Sequence, residues 1–372
     1  MSPRLIYLCA LKLVKQNNIM KRLTYISKVA NNLSQQDVNE IGEISAQNNQ
    51  QLAITGILLY LHGIFFQILE GKEEKIDTLY KKILKDKRHT DIICLKAETK
   101  ITHRLFPDWG MKVIHLDDYD AVVIQPVKAL LQTLTDSHRI LEKYTQPSVI
   151  NIINKGNNPL TIQPCKKEKV IFFSDISSFS TFAEILPVDD IVKLVNDYFT
   201  IVSRLITQHD GEVIKFIGDC VMASFEAHQA DNAIEASLAI LNELQTLRET
   251  TDENDPLKLL YTGIGIAYGE VIEGNVGSTV KMDYTLLGDA VNVASRLEAL
   301  TRHLPYTLAF SKEIKDHCQK NWDFINLGTH KVKGKQISIN IYSIDNEITQ
   351  KSWNTLDLQH YIQQKLANIV KP

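Results

Sequence analysis

Apolar and polar positions alternate along the chain in two blocks, each mixing strand-like and helix-like segments. In the first block, Arg22-Leu-Thr-Tyr-Ile-Ser27 reads as a strand, and Ser34 is a candidate helix N-cap with Asp37 three residues on. Val38, Ile41 and Ile44 follow at helical spacing. Two apolar runs between Ile54 and Leu69 flank His62-Gly63, the composition of a tight hairpin. From Glu73 to Lys85, Ile76, Leu79, Tyr80 and Ile83 share one helical face while Lys81, Lys82 and Lys85 take the other, and Ile92–Lys96 is strand-like. These elements predict one α+β domain over residues 20–120. Met20 stands directly before its first strand, so residues 1–19 are expected to be an N-terminal extension.

Residues 121–167 predict a helical linker followed by a boundary segment. Val127, Leu134 and Leu141 lie seven apart, with Leu130 and Tyr144 three further along, a short heptad-like stripe that either pairs two subunits or packs on the first domain. Gln146 to Lys169 holds Pro147, Gly156, Pro159 and Pro164, which predicts a break in the helix. The second block, residues 168–345, predicts a strand at Val170–Phe173 and helices through Pro187–Gln208. A hairpin at Glu212–Phe225 turns at Gly218-Asp219, and a helix spans Asp231–Arg248. Next come a strand at Leu259–Tyr268, a Gly-rich hairpin at Gly269–Gly277, a helix at Asp289–Thr301 and strands to Ile344, leaving residues 346–372 as a tail.

Composition narrows the class. The chain has 372 residues, 44% apolar content and a net charge of −3 from 41 basic and 44 acidic residues, enough for two domains of ordinary size. No basic stripe marks a nucleic-acid partner. The five cysteines, Cys9, Cys94, Cys165, Cys220 and Cys318, are scattered without paired spacing, which fits a reducing cytoplasm. The apolar stretch Leu5–Leu11 is interrupted by Lys12 and Lys15, and no run approaches the ~18 residues of a membrane span, so stable membrane insertion is not expected.

Candidate chemistry centres on two aspartates. Asp175 ends the apolar strand of Phe172-Phe-Ser-Asp-Ile-Ser-Ser-Phe179, and Asp219 sits at the tip of Lys215-Phe-Ile-Gly-Asp219. Neighbouring strand ends would join them into a carboxylate pair able to hold one or two Mg²⁺ ions against substrate phosphates. Singly, each has a plainer reading, since Gly-Asp is a common turn and a strand-ending Asp caps the next helix. Asn292 and Arg296 lie four apart on one helix face, an ordinary surface relation by itself.

With Tyr284-Thr-Leu-Leu-Gly-Asp-Ala-Val-Asn-Val-Ala-Ser-Arg-Leu-Glu298 added, residues 168–345 resemble the class III nucleotidyl cyclases. The resemblance implies a ferredoxin-like α+β catalytic domain acting as a homodimer, with ATP as substrate and two Mg²⁺ or Mn²⁺ ions. It assigns Asp175, the Ile176 backbone and Asp219 to metal, and the turn through Phe179 and Ser180 to the triphosphate. Asn292 and Arg296 would fall to ribose and phosphorus, and Lys333 to the triphosphate, with Lys331 and Lys335 close enough to compete. Lys215 and Thr285 resemble the adenine-reading pair of one subclass. A lysine donor suits adenine N1, whereas guanine presents an N–H there. A guanylyl cyclase, or a domain that binds nucleotide without turnover, is the alternative.

In the first domain, Lys21-Arg-Leu-Thr-Tyr-Ile-Ser27, Ile54-Thr-Gly-Ile-Leu-Leu-Tyr60 and Gly63-Ile-Phe-Phe-Gln-Ile-Leu-Glu-Gly71 resemble motifs of the BLUF family, flavin-binding blue-light receptors. That implies a second ferredoxin-like domain holding FAD or FMN, with Tyr25, Gln67 and Asn49, expected just after the first helix, around the ring. Gln67 would switch its hydrogen bonds, as an amide with both donor and acceptor faces can. Trp109 and Met111, in Phe106-Pro-Asp-Trp-Gly-Met111, match positions near Gln67 that relay the change, although alternate Trp and Met on a strand are more often core. Arg88 and His89 are candidates for the ribityl phosphate end, where a polar helix end is the plainer explanation.

Overall fold

The computed structural model describes residues 19–29, 35–61, 63–116, 121–154, 159–278, 280–330, 338–351 and 355–369. Lys331, Lys333 and Lys335 lie outside the described residues, as does nearly all of the extension 1–19. The chain divides into two compact α+β units, residues 1–161 and 162–372.

The first unit is a five-stranded sheet. Its elements run β1 (Met20–Val29), α1 (Gln35–Leu52), β2 (Thr55–Leu61), β3 (Ile64–Lys72), α2 (Glu73–Ile83), β4 (His89–Thr99) and β5 (Lys112–His115), in spatial order β4-β1-β3-β2-β5. The first four strands and two helices form the βαββαβ arrangement of a ferredoxin-like fold. β1 is central and pairs antiparallel with both neighbours, so Tyr25 stands directly opposite Gln67 on β3. α2 carries Glu73 and Glu74 in its first turn and Lys81 and Lys82 in its last, the charge order that complements the helix dipole.

Helix α3 (Ala121–Tyr144) belongs to this unit. Leu131 is buried and Val127 half-buried against Ile26, Leu61, Ile64 and Ile93 of the sheet. Leu130, Leu134, Leu141 and Tyr144 are exposed. The heptad stripe is therefore split: Val127 packs on the sheet and the other four form a separate apolar strip. Nor does the chain lose helix throughout Gln146–Lys169, since α4 (Pro147–Asn154) starts on Pro147, which needs no N–H at that position, and buries Val149.

The second unit repeats the same core. Its elements are β6 (Cys165–Ile176), α5 (Phe179–Ile185), α6 (Val188–Gln208), β7 (Glu212–Ile217), β8 (Cys220–Glu226), α7 (Ala230–Thr250) and β9 (Thr262–Gly277). The order β9-β6-β8-β7 is the ferredoxin-like order again. β6 is buried on both faces from Val170 to Ser174, as a central strand covered by helices must be. On α6, Leu194, Tyr198, Val202, Leu205 and Ile206 are buried at helical spacing, with Asp189 and Asp190 favourably placed in the first turn.

Beyond that core lie β10 (Met282–Leu287), α8 (Asp289–Leu300), β11 (Leu308–Ser311), α9 (Lys312–His317), β12 (Phe324–His330), β13 (Ile339–Ile344) and α10 (Thr355–Ile369). Gly269–Gly277 is not a hairpin. It continues β9 as one sixteen-residue strand that pairs with β6 as far as Glu273 and with β10 from Ile272 to Gly277. Residues 346–372 are more than a tail, because Leu358, Ile362 and Leu366 of α10 are buried in the main core with Phe172 and Phe310.

Candidate functional site

In the second unit, strand register brings the aspartates together. β6 pairs antiparallel with β8, Ser174 opposite Val221, so Asp175 at the strand end meets the β7–β8 tip. Gly218, with φ 64°, makes that two-residue turn and leaves Asp219 facing Asp175. Burial, reinforced by the Asp175 carboxyl beside it, pushes the Asp219 carboxyl up to about 8. Asp175 Oδ1 is buried without a hydrogen-bond partner, while Oδ2 accepts from Arg302 Nη2 at 2.7 Å.

Two glycines of β9 allow α8 to approach this point. A Cβ at Gly265 would come within 2.2 Å of the Glu298 amide nitrogen, and one at Gly263 within 2.2 Å of Thr301 Oγ1. α8 therefore lies against the strand and delivers Glu298, and the 3-10 turn that follows it, Thr301–His303, delivers Arg302 to the cleft. Burial and the nearby Asp175 charge push the Glu298 carboxyl up to about 8.

The resulting cleft, about 430 Å³, is lined by Asp175, Ile176, Asp219 and the turn Ser177–Ser180. Ser178 holds a left-handed φ of 61° at the start of α5, a conformation a non-glycine residue adopts only when its surroundings impose it. Among the described residues no three His, Cys, Asp or Glu side chains converge on one point. The donors available to a hard cation are two carboxylates, one with an unpartnered oxygen, and the backbone of Ile176. That set suits Mg²⁺ or Mn²⁺, which complete their shells with water and phosphate oxygens.

Lys215 and Thr285 do not line this cleft. Lys215, on β7 beside a register shift, forms an ion pair with Asp283 of β10. Thr285, two residues on along the same strand face, is buried. Asn292 is exposed and Arg296 half-buried on α8, also outside the cleft. The structure thus joins Asp175, Ile176, Phe179, Ser180 and Asp219, and leaves Lys215, Thr285, Asn292 and Arg296 apart from them. Arg302 and Lys351 belong to the cleft but to no motif quoted from the sequence, and Glu298, the last residue of the quoted Tyr284–Glu298 run, joins it with no role assigned there. Only the fold brings them in.

The first unit holds a second cleft, of about 180 Å³, between its sheet and helices α1 and α2. Tyr25, Asn49, Gln67, Arg88 and His89 all line it. Asn49 is in the last turn of α1 rather than after the helix, because α1 runs on to Leu52. Tyr25 is buried, its hydroxyl held well above its ordinary pKa by desolvation, and it donates to Gln67 Oε1. Gln67 Nε2 donates to Met111 Sδ at 3.3 Å. Trp109 does not join them: it stacks on Phe106 at 5.1 Å with Lys112 over its ring, half-exposed in the loop before β5. Burial lowers the His89 pKa, and its Nδ1 lies 2.9 Å from Ser27 Oγ. Arg88 forks onto Asp86, whose carboxyl this holds down to about 2.

Comparison with known proteins gives both clefts a context. Residues 20–112 match the family "Sensors of blue-light using FAD" (BLUF), and residues 162–346 match "Adenylate and Guanylate cyclase catalytic domain". A solved bacterial light-regulated adenylyl cyclase is 57% identical, with a TM-score of 0.86, covering 93% of this chain and 99% of its own. Photoactivated adenylate cyclase subunit beta of Euglena longa is 31% identical over 81% of this chain. Subunit alpha of Euglena gracilis is 32% identical over 79%. The chain spans about a third of the length of these curated relatives, 35% of the first and 29% of the second. Among the described residues no helix is long and apolar enough to cross a membrane.

Proposed function

The chain belongs to the light-regulated adenylyl cyclases that join a BLUF domain to a cyclase catalytic domain, and from that premise we propose that two copies convert ATP to cyclic AMP and pyrophosphate under blue-light control. The observation that carries this reading is the partition of the catalytic set. The carboxylate cleft is complete in one copy, while Lys215, Thr285, Asn292 and Arg296 stand apart from it. A second copy related by a twofold axis would bring its own four to the first copy's cleft.

Each side chain then has a task. Asp175, the Ile176 backbone and Asp219 hold Mg²⁺ or Mn²⁺, which when bound lower the pKa of the ribose 3′-hydroxyl and neutralise the triphosphate. Lys215 donates to adenine N1 and the Thr285 hydroxyl meets the base edge, a set that favours ATP over GTP. Asn292 orients the ribose and Arg296 stabilises charge growing at the α-phosphorus. Lys333 is assigned to the triphosphate. The 3′-oxygen forms its bond to the α-phosphorus as the bond to the β-phosphate oxygen breaks, and the hydroxyl proton leaves to solvent.

The cleft in the first unit suits FAD. Its amides Asn49 and Gln67 match the donors and acceptors of a flavin ring edge, Ile41, Leu58, Leu79 and Ile83 supply apolar contact, and Arg88 and Lys82 supply positive charge. A flavin held there would supply blue-light excitation; Tyr25 would give up an electron and a proton and then recover both, so that no net oxidation remains. Gln67 would then exchange the partners of its two amide faces, and Met111, bonded to Gln67 immediately before β5, would feel the change first. A few altered hydrogen bonds provide about 1–3 kcal/mol, enough to bias a subunit interface. The four described cysteines are free thiols, which fits the cytoplasm.

The test is cyclic AMP formed from ATP by purified protein in darkness and under blue light, with GTP as competitor. Mixing Asp219→Ala with Arg296→Ala chains should restore activity that neither has alone. No rescue in demonstrably mixed dimers would refute the shared site.

A further inference from the structure

One wall of the carboxylate cleft comes from beyond the matched catalytic region. That region ends at residue 346, yet Lys351, Leu358 and Gln359 line the cleft. The segment is fixed on both sides of Lys351. Its own amide donates to Pro305 O at 2.9 Å, Thr307 N donates to Thr349 O at 2.8 Å, and α10 is anchored through Leu358, Ile362 and Leu366.

Among the described residues two cations line the cleft, and they differ in their partners. Arg302 is engaged by Asp175 at 2.7 Å and lies 3.8 Å from Glu298. The Lys351 ammonium donates to the Thr301 carbonyl at the end of α8. Among the described residues no carboxylate lies within ion-pair distance of it. Burial, and then the charge of Arg302, pull its pKa down to about 8, so at neutral pH it is still a cation. A half-buried ammonium that forms no ion pair among the described residues, with the Glu298 carboxyl near but not in contact, on a wall shared with the carboxylates that hold metal, is placed to receive a negatively charged ligand.

We propose that Lys351 is a catalytic residue that contacts the β- and γ-phosphates of ATP and holds the departing pyrophosphate. This rests on the cyclase reading above. When the bond between the α-phosphorus and the bridging oxygen breaks, that oxygen gains a full negative charge, and a cation at the polyphosphate end stabilises it. The role also gives α10 a function, because the helix fixes the segment that carries the ammonium.

The test is titration calorimetry of Mg²⁺-pyrophosphate, which cannot turn over, into full-length wild type, Lys351→Gln and Lys351→Arg. Loss of one charge-assisted contact should weaken binding about tenfold in Lys351→Gln. Lys351→Arg should stay within about threefold, and both should unfold within about 2 °C of wild type. Unchanged pyrophosphate affinity in Lys351→Gln would overturn the proposal. So would equal losses in both variants accompanied by a fall in unfolding temperature, which would mark Lys351 as only a helix-end support. Cyclic AMP formation by the wild type, measured alongside, separates failure of this assignment from failure of the cyclase reading.

Discussion

Replacing Asp219 by Asn should stabilise the metal-free protein while abolishing turnover. The Asp219 carboxyl is pushed from its ordinary 3.8 up to about 8 by burial and then by Asp175. Between those values the native state keeps a proton that the unfolded chain has already lost, so stability falls as pH rises from about 4 to about 8. Unscreened, that displacement corresponds to ~5–6 kcal/mol. Water in the open cleft and the Arg302 guanidinium on Asp175 reduce it to ~2 kcal/mol. Asparagine cannot ionise, so the variant recovers this above pH 8 and nothing below pH 4. For a domain of this size the gain is ~4–8 °C in unfolding temperature. The assay is thermal unfolding of chelator-treated wild type and Asp219→Asn from pH 5 to 9. Glu298, which also titrates high, is common to both proteins and largely cancels in the difference. The midpoints should diverge from pH 5 to about pH 8 and then level off, and added Mg²⁺ should raise the wild type more than the variant. A constant separation across that range would refute the like-charge account of the carboxylate pair.

Other perturbations report on separate parts of the molecule. Gln67→Leu removes both the acceptor for Tyr25 and the donor to Met111, and should abolish the light response while leaving dark activity within about twofold, read as cyclic AMP in darkness and under blue light. Ile362→Ala deletes a fully buried side chain of α10, should cost ~3 kcal/mol, and should lower the unfolding temperature by ~6–12 °C. Tyr361→Ala, on the exposed side of the same helix, should change stability by less than ~1 kcal/mol in the same assay. Asp231 accepts from Gln319 N and Trp322 Nε1, both at 2.8 Å. Burial opposes its ionisation, but these bonds outweigh it and hold the carboxyl below its ordinary value. Its contribution is therefore present above about pH 4 and lost on acidification, and Asp231→Asn should cost ~1–2 kcal/mol at pH 7 and flatten that acid limb in pH-dependent unfolding.

Local chemistry wrote the motif positions into the sequence, while contacts between distant segments remained hidden. Asp175 and Asp219 were singled out by a strand end and a Gly-Asp turn taken together with the cyclase resemblance, and Tyr25 and Gln67 by the BLUF resemblance, since a strand Tyr or Gln by itself says little. Gly269–Gly277 misled because glycines mark turns as well as close approaches. At Gly274 a Cβ would come within 2.7 Å of the Pro164 backbone, so that glycine serves packing inside a strand. α10 carried its signal in Leu358, Ile362 and Leu366, spaced by four, a periodicity that identifies a packed helix. Arg302 and Lys351 carried no local signal, because what sets them apart is proximity to residues distant in sequence, Asp175 at 127 positions for Arg302 and Thr301 at 50 for Lys351. Trp109 and Met111 look alike from strand alternation. Only the loop before β5 decides that one turns outward while the other meets Gln67.

The β7–β8 hairpin carries Lys215 on one strand and Asp219 at its tip, on one continuous two-stranded ribbon. In a twofold pair, each ribbon serves two reaction centres at once, its tip in one and its lysine in the other. With Asp219 holding metal and Lys215 reading the base, as proposed, a tilt that draws the tip inward would also displace the lysine next door. The two centres would then be geared together, so that occupancy of one alters the nucleotide affinity of its twin, and sensitivity to illumination would be a property of the couple rather than of either member.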